Sequence, residues 1–280
     1  KCYESALLLY RRVGDVIGEA SCISGLGSIA QTRSEYEEAR QQLEVALPLY
    51  QRMGSVVGEA NCISGLGSIA QARSEYEEAR QQLEVALPLH QRMGSVIGEA
   101  NCIVHLGQIA QAQSEYEEAR QQYEAALSLY QRVGDVTGEA LCLHGKGRIY
   151  LEQQPADYDR AESYFQDALK LAHRDGHRWN VAYFTISLGE LAIATGDNEK
   201  ARQLLEESLA TFRSFPTPEW IGKAHKQLAR LETGEQKLAH LCVARRAWQK
   251  VGLNNLIAEL ETEYSEIDFS QCPAVGEDEY

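Results

Sequence analysis

Nowhere in the 280 residues do about eighteen apolar residues follow one another, the least that carries a helix through a bilayer, so the sequence offers no membrane-spanning helix. Bases are scarce: 27 lysines and arginines stand against 41 aspartates and glutamates, a formal charge of −14. That balance excludes a general nucleic-acid binder, which needs a basic face for phosphates. The deficit is uneven, since residues 259–280 hold eight acids and no base and so supply −8 of the total. Strand-like alternation of apolar and polar residues is absent along the whole chain. The opening KCYESALLLYRR has no cleavage-site pattern and reads as no signal peptide. Of the 7 cysteines, Cys22, Cys62, Cys102 and Cys142 recur every forty residues, a spacing foreign to a disulfide framework. Free, buried thiols in a reducing, cytoplasmic setting are expected.

What is present is a repeat. The string SEYEEARQQ begins at Ser34, Ser74 and Ser114, and residues 21–60 differ from 61–100 only at Ser21/Asn61, Thr32/Ala72, Tyr50/His90 and Val57/Ile97. A period of this length marks a solenoid or propeller built from one supersecondary unit per repeat. Within the unit, Tyr36, Ala39, Leu43, Ala46, Leu47 and Tyr50 recur at three and four, a helical stripe. Ser34 and Glu37 have the S-x-x-E spacing of a capping box, which predicts the start of that helix. Gly54 predicts its end, as a left-handed residue past the last turn. Ser55 is expected to cap a second helix, whose apolar side is Ile63, Leu66, Ile69 and Ala70. Each repeat is therefore read as two antiparallel helices, and the chain as all-α.

The later repeats drift. Leu143, Gly147, Tyr150, Ala161, Phe165 and Ala168 keep the phase after a two-residue insertion at Gln154-Pro155, and Leu188, Gly189, Ala192, Ala201 and Leu205 keep it again. The organisation expected is the second helix of a truncated repeat at 1–14 and six helix pairs at 15–54, 55–94, 95–134, 135–175, 176–214 and 215–252. A capping helix at 253–266 and an acidic tail without structure at 267–280 follow. Because the chain starts inside a repeat, it is expected to have been cut from a longer protein. Pro48 and Pro88 fall inside helices and predict a kink on their outer side.

No chemistry of catalysis assembles from these residues. Gly145-Lys146-Gly147 lies in a helical phase, not between a strand and a helix as a phosphate loop requires. Cys102-x-x-His105 and Cys142-x-His144 supply two ligands each, short of the four that a structural zinc site needs. No catalytic, metal-binding or cofactor-binding residue is assigned.

The recurring set Ile63, Leu66, Gly67, Ala70, Ala79, Leu83 and Ala86 resembles the tetratricopeptide repeat (TPR). The resemblance implies an α-solenoid, a right-handed superhelix of antiparallel helix pairs, with a protein or peptide held in the groove lined by the first helices. Carried over by phase, the groove residues are Asn61, Ser64, Ser68, Asn101, Gln108, His144, Arg148, Tyr183, Lys223, Lys226 and Arg230. The early groove is neutral and the late groove basic, so a partner acidic at one end is expected. The early groove has no lysine for the terminal carboxylate that chaperone-type clamps hold. The entries Gly14-Asp15 with Gly18-Glu19-Ala20, and the near-identity of tandem repeats, are similar to the C-terminal sensor arrays of fungal NLR-like STAND signalling NTPases. A second resemblance is to stand-alone adaptors of the polarity-adaptor and kinesin-light-chain type, which bind a short linear motif.

Overall fold

The computed structural model describes residues 2–215 and 217–272. Two compact units divide the chain, residues 1–134 and 135–280. In the first, α1 (Cys2–Val13) precedes three helix pairs: α2 (Val16–Thr32) with α3 (Tyr36–Arg52), α4 (Val56–Ala72) with α5 (Tyr76–Met93), and α6 (Val96–Ala112) with α7 (Tyr116–Val133). In the second, the pairs are α8 (Val136–Glu152) with α9 (Tyr158–Asp175), α10 (Arg178–Thr195) with α11 (Asn198–Ser214), and α12 (Pro218–Ala229) with α13 (Gly234–Lys250). The short α14 (Asn254–Glu263) and a 3-10 turn (Phe269–Gln271) complete it. No strand occurs among the described residues.

Two types of helix alternate. The first helix of each pair, here the inner helix, packs against its partner and against neighbouring pairs; α4 touches α2, α3, α5 and α6. It is accordingly apolar nearly all round, with Ala60, Cys62, Ile63, Leu66, Ile69 and Ala70 buried. The outer helix buries one stripe, Ala79, Leu83, Ala86 and His90 in α5. Close approach inside a pair is made at Gly67. A Cβ there would stand 2.9 Å from Leu83 Cγ and 3.3 Å from the Ala79 carbonyl. Equivalent cores are Ile63, Ala79, Leu83, Leu106 and Ile109 in the first unit and Ile186, Leu205, Phe212, Ile221 and Leu228 in the second.

The ends follow local rules, with one correction. Asp15 and Asp135 accept from the amides of Gly18 and Gly138 at 2.9 Å, and Ser55 accepts from Gly58 at 3.4 Å. Gly54 is left-handed at φ 66° and closes α3. The capping box expected at Ser34 and Glu37 does not form. Ser34, Ser74 and Ser114 adopt φ of 62°, 60° and 63°, and the residues after them, Glu35, Glu75 and Glu115, take the N-cap position without a side-chain cap bond. The serines instead terminate the preceding inner helix: the Glu35 amide donates to the Ala30 carbonyl at 2.9 Å, the wrap-back bond of a left-handed C-terminal cap. Helices α3 and α5 continue through the exposed Pro48 and Pro88.

The C-terminal stretch read as unstructured from 267 is also corrected as far as residue 272. Asp268 caps the 3-10 turn through the Ser270 amide, and Cys272 forms a disulfide with Cys242 of α13. The rest of that tail lies outside the described residues.

Candidate functional site

In the first unit the inner-helix positions predicted from phase are held from behind by the outer helices. The Tyr130 hydroxyl donates to Asn101 Oδ1 at 2.5 Å. Tyr50, at the same register, donates to Ser21 at 3.2 Å and lies 3.1 Å from Ser24 Oγ. His90 replaces tyrosine in the middle repeat, and its Nε2 lies 3.0 Å from Ser64 Oγ. The rings of Tyr50 and His90 reach the inner helices because a glycine follows in the next repeat. A Cβ on Gly58 would stand 2.2 Å from Tyr50 Cδ1, and one on Gly98 2.2 Å from His90 Nδ1.

A second row of bonds runs from one inner helix to the next. Gln31 Nε2 donates to Ser68 Oγ at 2.9 Å, and Gln71 Nε2 donates to Gln108 Oε1 at 2.9 Å. His105 Nδ1 lies 2.6 Å from Gln71 Oε1. A carbonyl oxygen only accepts, so Nδ1 carries the proton. Burial pushes His105 down to about 4, which keeps it neutral. The exposed Asn61 and Asn101 and the half-buried Ser64, Ser68 and Gln108 thus form a neutral, pre-oriented face of donors and acceptors.

The Ser64–His90 contact is not a nucleophile and base. The Ser64 hydroxyl hydrogen goes to the Ala60 carbonyl at 2.8 Å, so His90 Nε2 is the donor to Ser64 Oγ. His90 Nδ1, the atom that the acid of a triad would hold, has no hydrogen-bond partner. Burial lowers the His90 pKa, and burial raises the Cys62 and Cys142 thiols to about 11 and about 12, far from a reactive thiolate. Among the described residues, no group of three or more His, Cys, Asp or Glu could hold a metal ion.

The second unit places its predicted residues differently. His144 is buried at 3% exposure, with Nε2 2.8 Å from Ser187 Oγ and ring centroids 4.4 Å from Tyr183 and 4.8 Å from Phe184. It is a core histidine held neutral by burial, and the expectation that it faces a ligand is corrected. The cause is the small Ser187, which leaves room for the imidazole against α10. Tyr183 is half-buried in an aromatic cluster with Trp179 and Trp220, with centroids 4.5–5.7 Å apart. Burial pushes its hydroxyl up to about 12.

The basic residues of this face carry acids of their own. Arg148 bonds Glu152 and Glu190, and Glu190 also accepts from Gln227 at 2.9 Å. Lys223 pairs with Glu219 at 2.5 Å and lies 3.9 Å from the Trp220 ring centroid. Lys226 pairs with Glu263 of α14 at 2.7 Å. Arg230 is exposed and donates to Gln227 at 3.1 Å.

The groups that orient the site, Tyr50, His90, Tyr130, Gln31 and Gln71, are not among the residues assigned from phase alone. A signal for two of them is present in the sequence. Of the four positions that distinguish residues 21–60 from 61–100, Ser21/Asn61 and Tyr50/His90 belong to this face. Both members of the second pair are buried and reach the inner helix through hydrogen bonds, so a coupled change there marks the polar contact between outer ring and inner face.

Comparison with known proteins places the chain. Residues 20–53 and 60–93 match one tetratricopeptide repeat model, and residues 99–174 match another. No curated protein matches the chain in sequence. Among solved structures, a Rap protein complexed with competence and sporulation factor is similar with a TM-score of 0.76 at 14% identity, over 89% of this chain and 69% of that one. NprR in complex with its cognate peptide NprX is similar with a TM-score of 0.72 at 18% identity, over 96% and 78%. A signal transduction ATPase (STAND) protein with a tetratricopeptide repeat sensor, from Pyrococcus horikoshii, gives 0.56 at 17% identity; this chain is covered to 95% and spans 41% of that protein. At these identities the likeness is one of fold. Together the two repeat models account for half of the sequence at the expected phase, and the chain belongs to the tetratricopeptide repeat family.

Proposed function

We propose that this chain is a non-catalytic array that binds a peptide or protein on the inner faces of its helix pairs, and that it is the ligand-recognition region of a larger STAND-type signalling NTPase in the cytoplasm. The observation that carries the reading is the neutral row Asn61, Ser64, Ser68, Asn101 and Gln108, oriented from behind by His90, Tyr130, Gln31 and Gln71. Oriented amides and hydroxyls suit an extended main chain, which offers one donor and one acceptor per residue. Support for a peptide ligand comes from the Rap and NprR structures, both of them complexes with a peptide or factor. Support for the NTPase context comes from the STAND protein whose sensor has this fold.

Of the four basic residues assigned to this face, Arg230 is the exposed one, while Arg148, Lys223 and Lys226 already have carboxylate partners. An acidic ligand end is therefore expected at Arg230 first. The test is selection of binding peptides from a random display library on the full chain, followed by affinity measurements. Asn101→Arg and Gln108→Arg should each weaken binding about tenfold or more, as loss of a central interface contact does. Unchanged affinity in both folded variants removes the neutral face from the proposal. Arg230→Glu tests the acidic end in the same way.

A further inference from the structure

The last inner helix carries a cation that the chain itself covers. Lys226 of α12 meets Glu263 at the end of α14, Nζ to Oε2 at 2.7 Å, and is left 21% exposed. The segment that delivers Glu263 lies on α13. Arg245 Nε bonds Glu261 at 2.6 Å, Lys237 lies 3.7 Å from Glu266, and the Lys237 ammonium is 4.7 Å from the centroid of the Tyr264 ring. The segment itself is slight, a ten-residue helix with Leu260 as its buried residue, followed by the buried Tyr264. An isolated helix of that length is unstable in water, and exposed ion pairs add little to it. Its far end is held covalently, by Cys272 to the buried Cys242.

We propose that the Cys242–Cys272 disulfide is a redox latch that keeps Glu263 on Lys226 as an internal stand-in for an acidic ligand, and that opening the latch exposes a carboxylate-binding site formed by Lys226 and Arg230. The proposal rests on the reading of the inner face as the binding face. It names the ligand chemistry of its last part, an acidic peptide, and the condition under which that part is open. Opening is thiol–disulfide exchange with an external dithiol. The dithiol gives up two electrons and two protons and closes to its own disulfide, while Cys242 and Cys272 become thiols. The other cysteines do not compete as a partner within the fold: Cys22, Cys62, Cys102 and Cys142 are free and buried, and Cys2 is exposed at the opposite end of the sequence. The bridge stands among free thiols, and a disulfide in a reducing compartment is usually transient, catalytic or redox-sensing.

The experiment uses the full chain. Denatured without reductant, the protein should show 5 reactive thiols, and 7 after reduction; seven from the start overturns the latch. Acetylation of Lys226, followed by peptide mass mapping, should run about threefold faster in the reduced protein, the effect of losing one exposed ion pair. Lys200 and Lys223 should be unchanged. Because Cys242 is buried and its substitution could unfold the chain, Cys272→Ser and Glu263→Gln serve as the variants. Both should show the fast rate with no reductant, and equal rates in oxidised, reduced and variant protein overturn the proposal. A fluorescent tetraglutamate peptide should bind the reduced form about fivefold more tightly. Faster acetylation with no tetraglutamate binding in either state overturns the carboxylate site of Lys226 and Arg230 and the reading of an acidic ligand end there. Equal peptide binding in both states sinks the latch and keeps that reading.

Discussion

The two units answer the same register with different chemistry. In the first, the inner helices present serine, asparagine and glutamine, and neighbouring inner helices are tied along this face by neutral side-chain bonds such as Gln71 to Gln108. In the second, the equivalent positions hold Arg148 and Glu190, tied to each other, with an aromatic group of Trp179, Tyr183 and Trp220 beside them. The packing positions do not change in kind: Gly67 meets Leu83, and Gly147 meets Phe165 at 2.7 Å from a built Cβ. A repeat therefore separates two tasks. One set of positions holds the pair together, and another is free to vary in polarity without cost to the core.

The comparison breaks first if equivalent core positions are not equivalent in energy. Phe165→Ala in the second unit should lose about 3–5 kcal/mol and Leu83→Ala in the first about 2–5 kcal/mol, since both side chains are 0% exposed. The midpoint of urea unfolding, followed by circular dichroism, measures both. A loss under about 1 kcal/mol at either site contradicts the shared packing role.

Acid is the next probe, and it acts on both units, since His90 and His105 in the first and His144, His225 and His240 in the second are all lowered by burial. His225 in the second unit lies with its Nδ1 2.8 Å from that of His240, and burial first, then the charge of His240, lowers it to about 3. Its folded value lies below the unfolded one of 6.5. Between those values the unfolded chain binds a proton that the folded chain refuses, so stability is full above pH 6.5 and falls as the pH drops toward 3. The group accounts for about 2 kcal/mol of loss by pH 5. His225→Phe should flatten the stability profile between pH 7 and pH 5 by that amount, read from urea midpoints at each pH. A profile as steep as the wild type excludes His225 as the source.

Gly58→Ala probes the slot that lets an outer ring reach the inner face. The added methyl meets Tyr50, 2.2 Å from Cδ1, and should destabilise the first unit by about 1–3 kcal/mol. A double-mutant cycle with Tyr50→Ala should recover most of it. The smallest effect has the opposite sign. The first unit ends its inner helices in left-handed serines, whereas the second uses Gly196 at φ 83° after α10. Ser114→Gly, at an exposed site, should stabilise the chain by about 0.5–1 kcal/mol, seen as a higher thermal midpoint.

Much of the architecture could be read from residues alone because a tandem copy repeats its own evidence. The stripe Ala79, Leu83, Ala86 and the stop at Gly94 recur in phase as Ala39, Leu43, Ala46 and Gly54 and as Ala119, Tyr123, Ala126 and Gly134, so periodicity outweighs any single ambiguous position. Ser34 was the exception. Its spacing to Glu37 fits a capping box, but the wrap-back bond from Glu35 to Ala30 ends the previous helix first, and that bond depends on the tight connection between helices. The site was less legible. Phase identifies which face a residue occupies; it does not show what stands behind it. Ser187 opens the space that buries His144, and Glu190 reaches Arg148 from a helix 42 residues on. The Cys242–Cys272 bridge was hidden for the same reason: neither cysteine shares the forty-residue column, and only the return of the chain over α13 brings them together.

That column has a practical use. Cys22, Cys62, Cys102 and Cys142 stand at one buried register, one per helix pair, at 4% exposure or less. An alkylating reagent reaches each of them only when its own pair opens. Nature has thus placed one chemical clock in each of four successive modules, and timed modification followed by peptide mapping would show in what sequence the modules come apart.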